Sequence, residues 1–141
     1  MYAIIRIKGS VKLRKEIKDT LAMLRVHRKM HCVLIKETDT VKGMLNKVRN
    51  WITWGEIDDK ILELMIRKRG RKQGNKRLTE KEIKDVFEFI KNNERIPDII
   101  KPVFRLTPPS KGFKKSIKQH YPNGELGYRG KEINGLLKRM I

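Results

Sequence analysis

The sequence predicts an α+β fold: a three-stranded antiparallel sheet threaded β-α-β-α-β, a helical hairpin, and a basic C-terminal segment that packs back. Three observations carry this. Strand-length apolar runs occur at Tyr2–Lys8, His31–Lys36 and Ile52–Ile57. Two stripes at helical spacing lie between them, and every connection is only a few residues long. Such an order gives a small sheet with both helices on one face, leaving the other face for a partner or for later chain.

The elements follow in order. In Tyr2–Lys8, Ala3, Ile5 and Ile7 share one face and Arg6 and Lys8 the other, a period of two. Gly9-Ser10 turns the chain, with Ser10 as the expected N-cap of a helix beginning at Val11. Leu13, Ile17, Leu21 and Leu24 form its apolar stripe. After the second strand, Thr38-Asp39-Thr40 offers caps for a helix in which Val41, Leu45 and Val48 share a face. The third strand closes the first part at residue 57, a ferredoxin-like core.

Residues 58–101 read as a helical hairpin. Ile61, Leu64, Met65 and Lys68 step along one side of its first helix. Thr79-Glu80-Lys81-Glu82 is a capping box that opens the second, with Ile83, Val86, Phe87 and Ile90 as its buried stripe. The tip, residues 66–77, holds seven basic residues, two glycines and no acid. Residues 102–141 form the third part. Val103–Leu106 is a short strand, and residues 107–130 have too few aliphatics to assemble a core of their own. Ile133, Leu136, Leu137 and Met140 mark a terminal helix that must dock on something.

Charge is the dominant feature of composition. Lys and Arg number 35 against 16 Asp and Glu, a net charge of +19 in 141 residues. The surplus is spread: 13 basic against 5 acidic in residues 1–57, 13 against 9 in 58–101, and 9 against 2 in 102–141. So even a distribution repels itself unless a polyanion neutralises it from many sides, and a folded RNA does so better than a flat membrane or one groove of duplex DNA. No apolar run approaches the ~18 residues of a membrane span, and the N-terminus begins at once as a strand, with no charged-then-apolar leader visible. An intracellular chain is expected. Abundant Lys, Arg and Ile with few Gln hint at a heat-loving source.

Catalytic signals are missing. There is no Walker or dinucleotide-binding glycine loop and no Gly-x-Ser-x-Gly elbow, so no cofactor is expected. The single cysteine, Cys32, lies in an apolar strand and reads as core, while His27, His31 and His120 are scattered without metal-ligand spacing. The pairs Asp58/Asp59 and Glu80/Glu82 sit at helix N-termini, where they answer the helix dipole.

The cationic tip is different. Arg67, Arg69, Arg71, Lys72, Lys76 and Arg77 crowd together, and Gly70 and Gly74 would let a backbone approach a phosphate. The tail interleaves rings with cations: Phe113, His120, Tyr121 and Tyr128 among Lys111, Lys114, Lys115, Lys118 and Arg129. Rings that stack on exposed bases, beside cations that meet phosphates, suit irregular RNA. Gly43 stands inside the second helix at a cost of roughly 1 kcal/mol against Ala. Either close sheet packing or an RNA backbone beside Lys42, Asn46 and Lys47 would explain it. Arg49 and Arg105 complete the candidate RNA contacts.

Several segments are familiar together. Thr40-Val41-Lys42-Gly43-Met44-Leu45-Asn46-Lys47-Val48 within the β-α-β-α-β order resembles the ribosomal protein thirty family of the large subunit, called protein seven in eukaryotes. Phe104-Arg105-Leu106-Thr107-Pro108-Pro109 with Lys111-Gly112-Phe113, then Gly124-Glu125-Leu126-Gly127-Tyr128-Arg129-Gly130 and Glu132-Ile133-Asn134, narrow the resemblance to the archaeal and eukaryotic branch. The bacterial form resembles the first 57 residues alone. The resemblance implies a structural, non-catalytic component of the large ribosomal subunit, cytoplasmic and ribosome-bound. Its expected partners are large-subunit ribosomal RNA, the subunit's small ribosomal RNA and neighbouring ribosomal proteins, and no membrane. By family match, Lys42, Lys47, Lys111, Tyr128 and Arg129 are its implied RNA contacts; the 67–77 loop rests on charge alone. Two alternatives remain: a general RNA-binding protein outside the ribosome, and an RNA-modifying enzyme, for which no catalytic group is present. An RNA-recognition motif is disfavoured because Lys111-Gly112-Phe113 begins its signature string and fails at Lys114.

Overall fold

A computed structural model describes all 141 residues. The expected order appears: β1 (Tyr2–Arg6), α1 (Lys15–Met23), β2 (His31–Ile35), α2 (Asp39–Lys47) and β3 (Ile52–Glu56). The hairpin follows as α3 (Asp59–Arg69) and α4 (Glu80–Asn93), then β4 (Val103–Arg105), β5 (Ser116–His120), β6 (Gly124–Tyr128) and α5 (Ile133–Met140). β1 pairs antiparallel with β2 on one side and β3 on the other, with Ile4 opposite Val33 and Trp54.

The sheet has six strands, not three, in the order β4-β2-β1-β3-β6-β5. β4 joins antiparallel to β2, and β6 joins parallel to β3 through Thr53↔Gly127 and Trp54↔Tyr128. Residues 107–130, expected to build no core of their own, supply two of the added strands. They have few aliphatics because β6 borrows a core: Gly124, Glu125, Leu126 and Gly127 are buried against the existing sheet edge.

Both sheet faces are covered, so β1 is buried along its whole length. Tyr2, Ile4, Val33, Ile52 and Trp54 meet Leu21 and Leu24 near α1 and Leu45 and Val48 near α2. Ala3, Ile5, Cys32 and Leu34 meet the hairpin residues Leu62, Met65, Ile66, Ile83, Val86 and Ile90 and, from α5, Ile133, Leu136, Leu137 and Met140. This second cluster draws on all three sequence segments, and it holds Cys32, whose thiol burial pushes up to about 12.

Several local expectations change. Arg6, on the face opposite Ala3 and Ile5, is 2% exposed, and its guanidinium donates to the carbonyls of Lys8, Val26 and His27 and to Ser10 Oγ. Ser10 is thereby committed to Arg6, and α1 starts only at Lys15 without a side-chain cap. On α2, Thr38 caps as expected, accepting from the Val41 N–H at 3.2 Å. The inward stripe of α3 is Leu62, Met65 and Ile66 rather than Ile61, Leu64, Met65 and Lys68. Gly70 serves packing, not phosphate: a Cβ there would lie 2.5 Å from the Ile66 carbonyl oxygen.

Asn134 fastens the C-terminal helix to the sheet. Its Oδ1 accepts from the Asp58 N–H at 2.8 Å, and its Nδ2 donates to the carbonyls of Glu56 and Lys131. β3 and the turn before α5 also approach closely, since a Cβ on Gly55 would meet the Gly130 carbonyl at 1.9 Å.

Candidate nucleic-acid interface

The sheet order puts two cationic regions near opposite edges. Beside β4, the hairpin tip is organised by its own acids, so its charges are less crowded than the sequence suggests. Arg67 donates to Glu80 at 2.7 Å and to Glu63 at 3.4 Å, and Lys72 donates to Glu82 at 2.7 Å. The Lys72 ammonium pulls the Glu82 carboxyl below the usual range. Glu82 also accepts from the Thr79 hydroxyl, whose oxygen caps the Glu82 N–H. Arg67 and Lys72 thus spend their charge on the fold.

The cations left over converge. Pairing of Arg71 with Arg77 and of Lys72 with Ile100 folds the tip back, and the Lys101 N–H donates to the Arg71 carbonyl at 2.8 Å. A hollow of about 220 Å³ results, lined by Arg69, Arg71, Asn75, Lys101, Val103 and Arg105, with no carboxylate in its lining. Lys101 Nζ donates to Asn75 Oδ1 at 2.7 Å, and the Arg69 Nε is buried without a partner. Lys76 and Arg77 are exposed next to it. Sequence reasoning missed Lys101 and Asn75, because only the pairing of β4 with β2 brings residues 101–105 against the loop.

At the other side, the helix-two motif and the tail motif meet. The outward face of α2 carries Lys42, Gly43, Asn46 and Lys47, with Arg49 exposed just beyond. A hollow of about 220 Å³ separates this face from β6, lined by Tyr2, Lys42, Asn46, Trp54 and Tyr128. Tyr128 is 49% exposed; its ring lies 6.2 Å from Tyr2 and 6.1 Å from Trp54 between centroids. Its hydroxyl donates to Glu56, a bond that, with burial, pushes its pKa up to about 12. Burial and Glu37 push Tyr2 up to about 12 as well, so both phenols stay neutral at ordinary pH. Lys42 pairs with Glu37 at 3.2 Å.

The remaining tail residues line β5 and the loop before it. His120 Nε2 donates to Asn50 Oδ1 at 2.6 Å, tying β5 to the residues that follow α2. Lys115 Nζ sits 4.7 Å from the Tyr121 ring centroid and covers that ring. Lys111, Lys114 and Lys118 are exposed, and Arg139 holds the Lys111 loop through the carbonyls of Ser110 and Gly112. Arg129 differs from expectation. It is 8% exposed, and it donates to Glu125 Oε2 at 2.8 Å, to the Glu125 carbonyl and to Thr53 Oγ1 at 2.8 Å. It forms a buried ion pair within β6 and its flank, and its bond to Thr53 ties that strand to β3.

Gly43 is decided by this geometry. It is exposed, and nothing lies within 4 Å of where its Cβ would be. Sheet packing is therefore not the reason for it. No group of three or more His, Cys, Asp or Glu side chains is placed to hold a metal, and no helix is long and apolar enough to cross a membrane.

An α+β core with exposed cations, a half-exposed ring and a bare helix face at its edges defines a class, the strongly basic α+β proteins. The model of the family described as ribosomal protein L30p/L7e matches residues 2–52. The chain is 44% identical to the large ribosomal subunit protein uL30 of Archaeoglobus fulgidus, over 99% of both chains. It is 46% identical to that of Nanoarchaeum equitans, over 100% of this chain and 99% of the relative. With that of Methanococcus maripaludis the identity is 45% over 99% of each. The chain belongs to the ribosomal L30p/L7e family.

Proposed function

We propose that the chain is a structural, non-enzymatic constituent of the large ribosomal subunit that binds large-subunit ribosomal RNA in the cytoplasm. One observation carries the reading: Lys42 of the helix-two motif and Tyr128 of the tail motif, 86 residues apart in sequence, line one hollow, with Lys47 exposed on the same helix. Full-length similarity to archaeal proteins named for that subunit supports it. In this reading the ferredoxin-like core of residues 1–57 presents the α2 face. The hairpin of residues 58–101 presents Arg69, Arg71, Lys76 and Arg77. The extension of residues 102–141 supplies Arg105, Lys111, Lys114, Lys115, Lys118, His120, Tyr121 and Tyr128. Arg67, Lys72 and Arg129 contribute by holding these elements in place. Two faces at opposite sheet edges suit an RNA that wraps the protein, and the small ribosomal RNA and neighbouring ribosomal proteins are its further partners.

The test is binding to large-subunit ribosomal RNA and to an unrelated structured RNA over a salt series. Counterion release gives both a steep slope, about 0.7–0.9 in log K per phosphate neutralised. The expected result is a preference for the ribosomal RNA that survives at high salt. Coincident curves would assign the chain to general, charge-driven RNA binding.

A further inference from the structure

We infer that the hollow between α2 and Tyr128 receives one unstacked nucleotide of the ribosomal RNA, its base against the Tyr128 ring and its backbone crossing α2 at Gly43. The inference rests on the ribosomal reading above and goes beyond it in naming the ligand unit and the residues that admit it.

Three independent features converge. The first is Gly43 itself. A glycine in mid-helix destabilises the free chain relative to alanine, and here no side chain, strand or loop of the protein makes use of the missing Cβ. Its benefit must come from something outside the chain that lies close to the helix backbone. The second is the half-exposed ring of Tyr128. Its hydroxyl is held by Glu56 and its ring packs beside Tyr2 and Trp54, so the ring is fixed in place before any ligand arrives. A fixed aromatic ring offers a stacking surface to any base.

The third is charge. The hairpin hollow has four cations and no acid, as a phosphate site would. Around the α2 hollow, Lys42 is paired with Glu37 and the Tyr128 hydroxyl is bonded to Glu56. Such a near-neutral, ring-lined space fits a base better than a phosphate. The Asn46 amide offers one donor pair and one acceptor to a base edge. Lys47, one turn from Gly43 on the outward face, meets the adjoining phosphate. One comparison sharpens the assignment. Gly135 in α5 is also bare, but the hollow beside it contains Tyr121, whose ring Lys115 already covers.

The experiment measures affinity of the full chain for large-subunit ribosomal RNA and, in parallel, thermal melting. The variants are Gly43→Ala, Gly43→Leu and Tyr128→Ala, with Ala22→Leu on the exposed face of α1 as a control for added bulk. Gly43→Ala and Gly43→Leu are expected to melt no lower than the parent, since both favour helix. Gly43→Leu and Tyr128→Ala are expected to bind about tenfold more weakly, the order of one lost base stack. Ala22→Leu should bind within about twofold of the parent. Parental affinity for Gly43→Leu, with the RNA preference of the parent intact, overturns the nucleotide site and leaves the ribosomal reading standing. Absence of any RNA preference in the parent overturns the reading itself. If Gly43→Leu binds free RNA normally but fails to enter assembled subunits, the α2 face takes a neighbouring protein, and the inference is wrong.

Discussion

Removing the Glu125 carboxylate while Arg129 remains should be among the costliest single changes in this chain. The pair is 5% and 7% exposed by side chain, its guanidinium bonded to Glu125 and Thr53 and its carboxylate accepting also from the Lys115 N–H at 3.0 Å. Glu125→Ala strands a buried guanidinium with one hydroxyl and one carbonyl. Breaking a buried pair in this way costs ~3–5 kcal/mol. Against a total stability of ~5–15 kcal/mol, that is a fifth or more of what holds the domain folded. At ~3 °C per kcal/mol for a chain of this size, the melting point should fall by ~10 °C. The double variant Glu125→Leu with Arg129→Met replaces both charges by apolar bulk. It should cost well under the sum of the singles, a coupling of at least ~2 kcal/mol. Urea unfolding followed by circular dichroism on Glu125→Leu, Arg129→Met and the double gives the cycle directly. A loss under ~1 kcal/mol for Glu125→Ala, or additive singles, would refute the claim that the two act as one buried unit. The same double variant separates two roles for Arg129. Retained preference for ribosomal RNA fits a guanidinium that seats β6; loss as large as for Lys42→Gln with Lys47→Gln would mean that it reaches the RNA.

Other outcomes follow from the same geometry. Lys101→Gln with Arg105→Gln should leave melting unchanged and lower the salt slope of RNA binding by ~1.5, about 0.7–0.9 per lost phosphate contact. Reversing Arg69, Arg71 and Lys72 to Glu should weaken incorporation into the subunit and also destabilise the hairpin, because Lys72 is the partner of Glu82; unchanged melting would show that this pair is idle. Deleting residues 107–141 removes Ile133, Leu136, Leu137 and Met140 from one core, ~6–12 kcal/mol at ~1.5–3 per buried side chain. The truncated chain should lose cooperative unfolding, and a sharp transition would contradict the packing. Alkaline unfolding should set in late. Tyr2 and Tyr128 are raised to about 12 from 10.0, so the stability they contribute is complete below pH 10 and lost as pH rises through 12. A flat stability profile across that window, read with tyrosinate absorbance, would count against their hydrogen bonds to Glu37 and Glu56.

Some of the fold was legible residue by residue. The short apolar run at Tyr2–Lys8 and the 3.6-residue stripes of Leu21, Leu24, Leu45 and Val48 are local signals, so the β-α-β-α-β order is visible without tertiary knowledge. Thr38 and Thr79 as caps are equally local, since each hydroxyl serves an N–H three residues on. The burial of Arg6 was not legible, for the opposite reason. Its burial is set by three carbonyls and a hydroxyl in loops that no pattern in Tyr2–Lys8 encodes. β5 and β6 escaped because an edge strand added to an existing sheet needs few apolar residues of its own, the sheet supplying the rest.

The interface divides the same way. Composition alone pointed to a polyanionic partner, because net charge sums over residues wherever they lie. Sequence also marked Lys42, Lys47 and Tyr128 and the oddity of Gly43. Only the tertiary structure decided which cations are free. Glu63, Glu80 and Glu82 pair with Arg67 and Lys72, and Glu125 takes Arg129 into the interior, while Arg69, Arg71, Lys101 and Arg105 line one hollow without a carboxylate. Pairing of charges falls off within a few ångströms, and residues 63 and 80, 53 and 129, or 42 and 128 become neighbours only when the chain has folded.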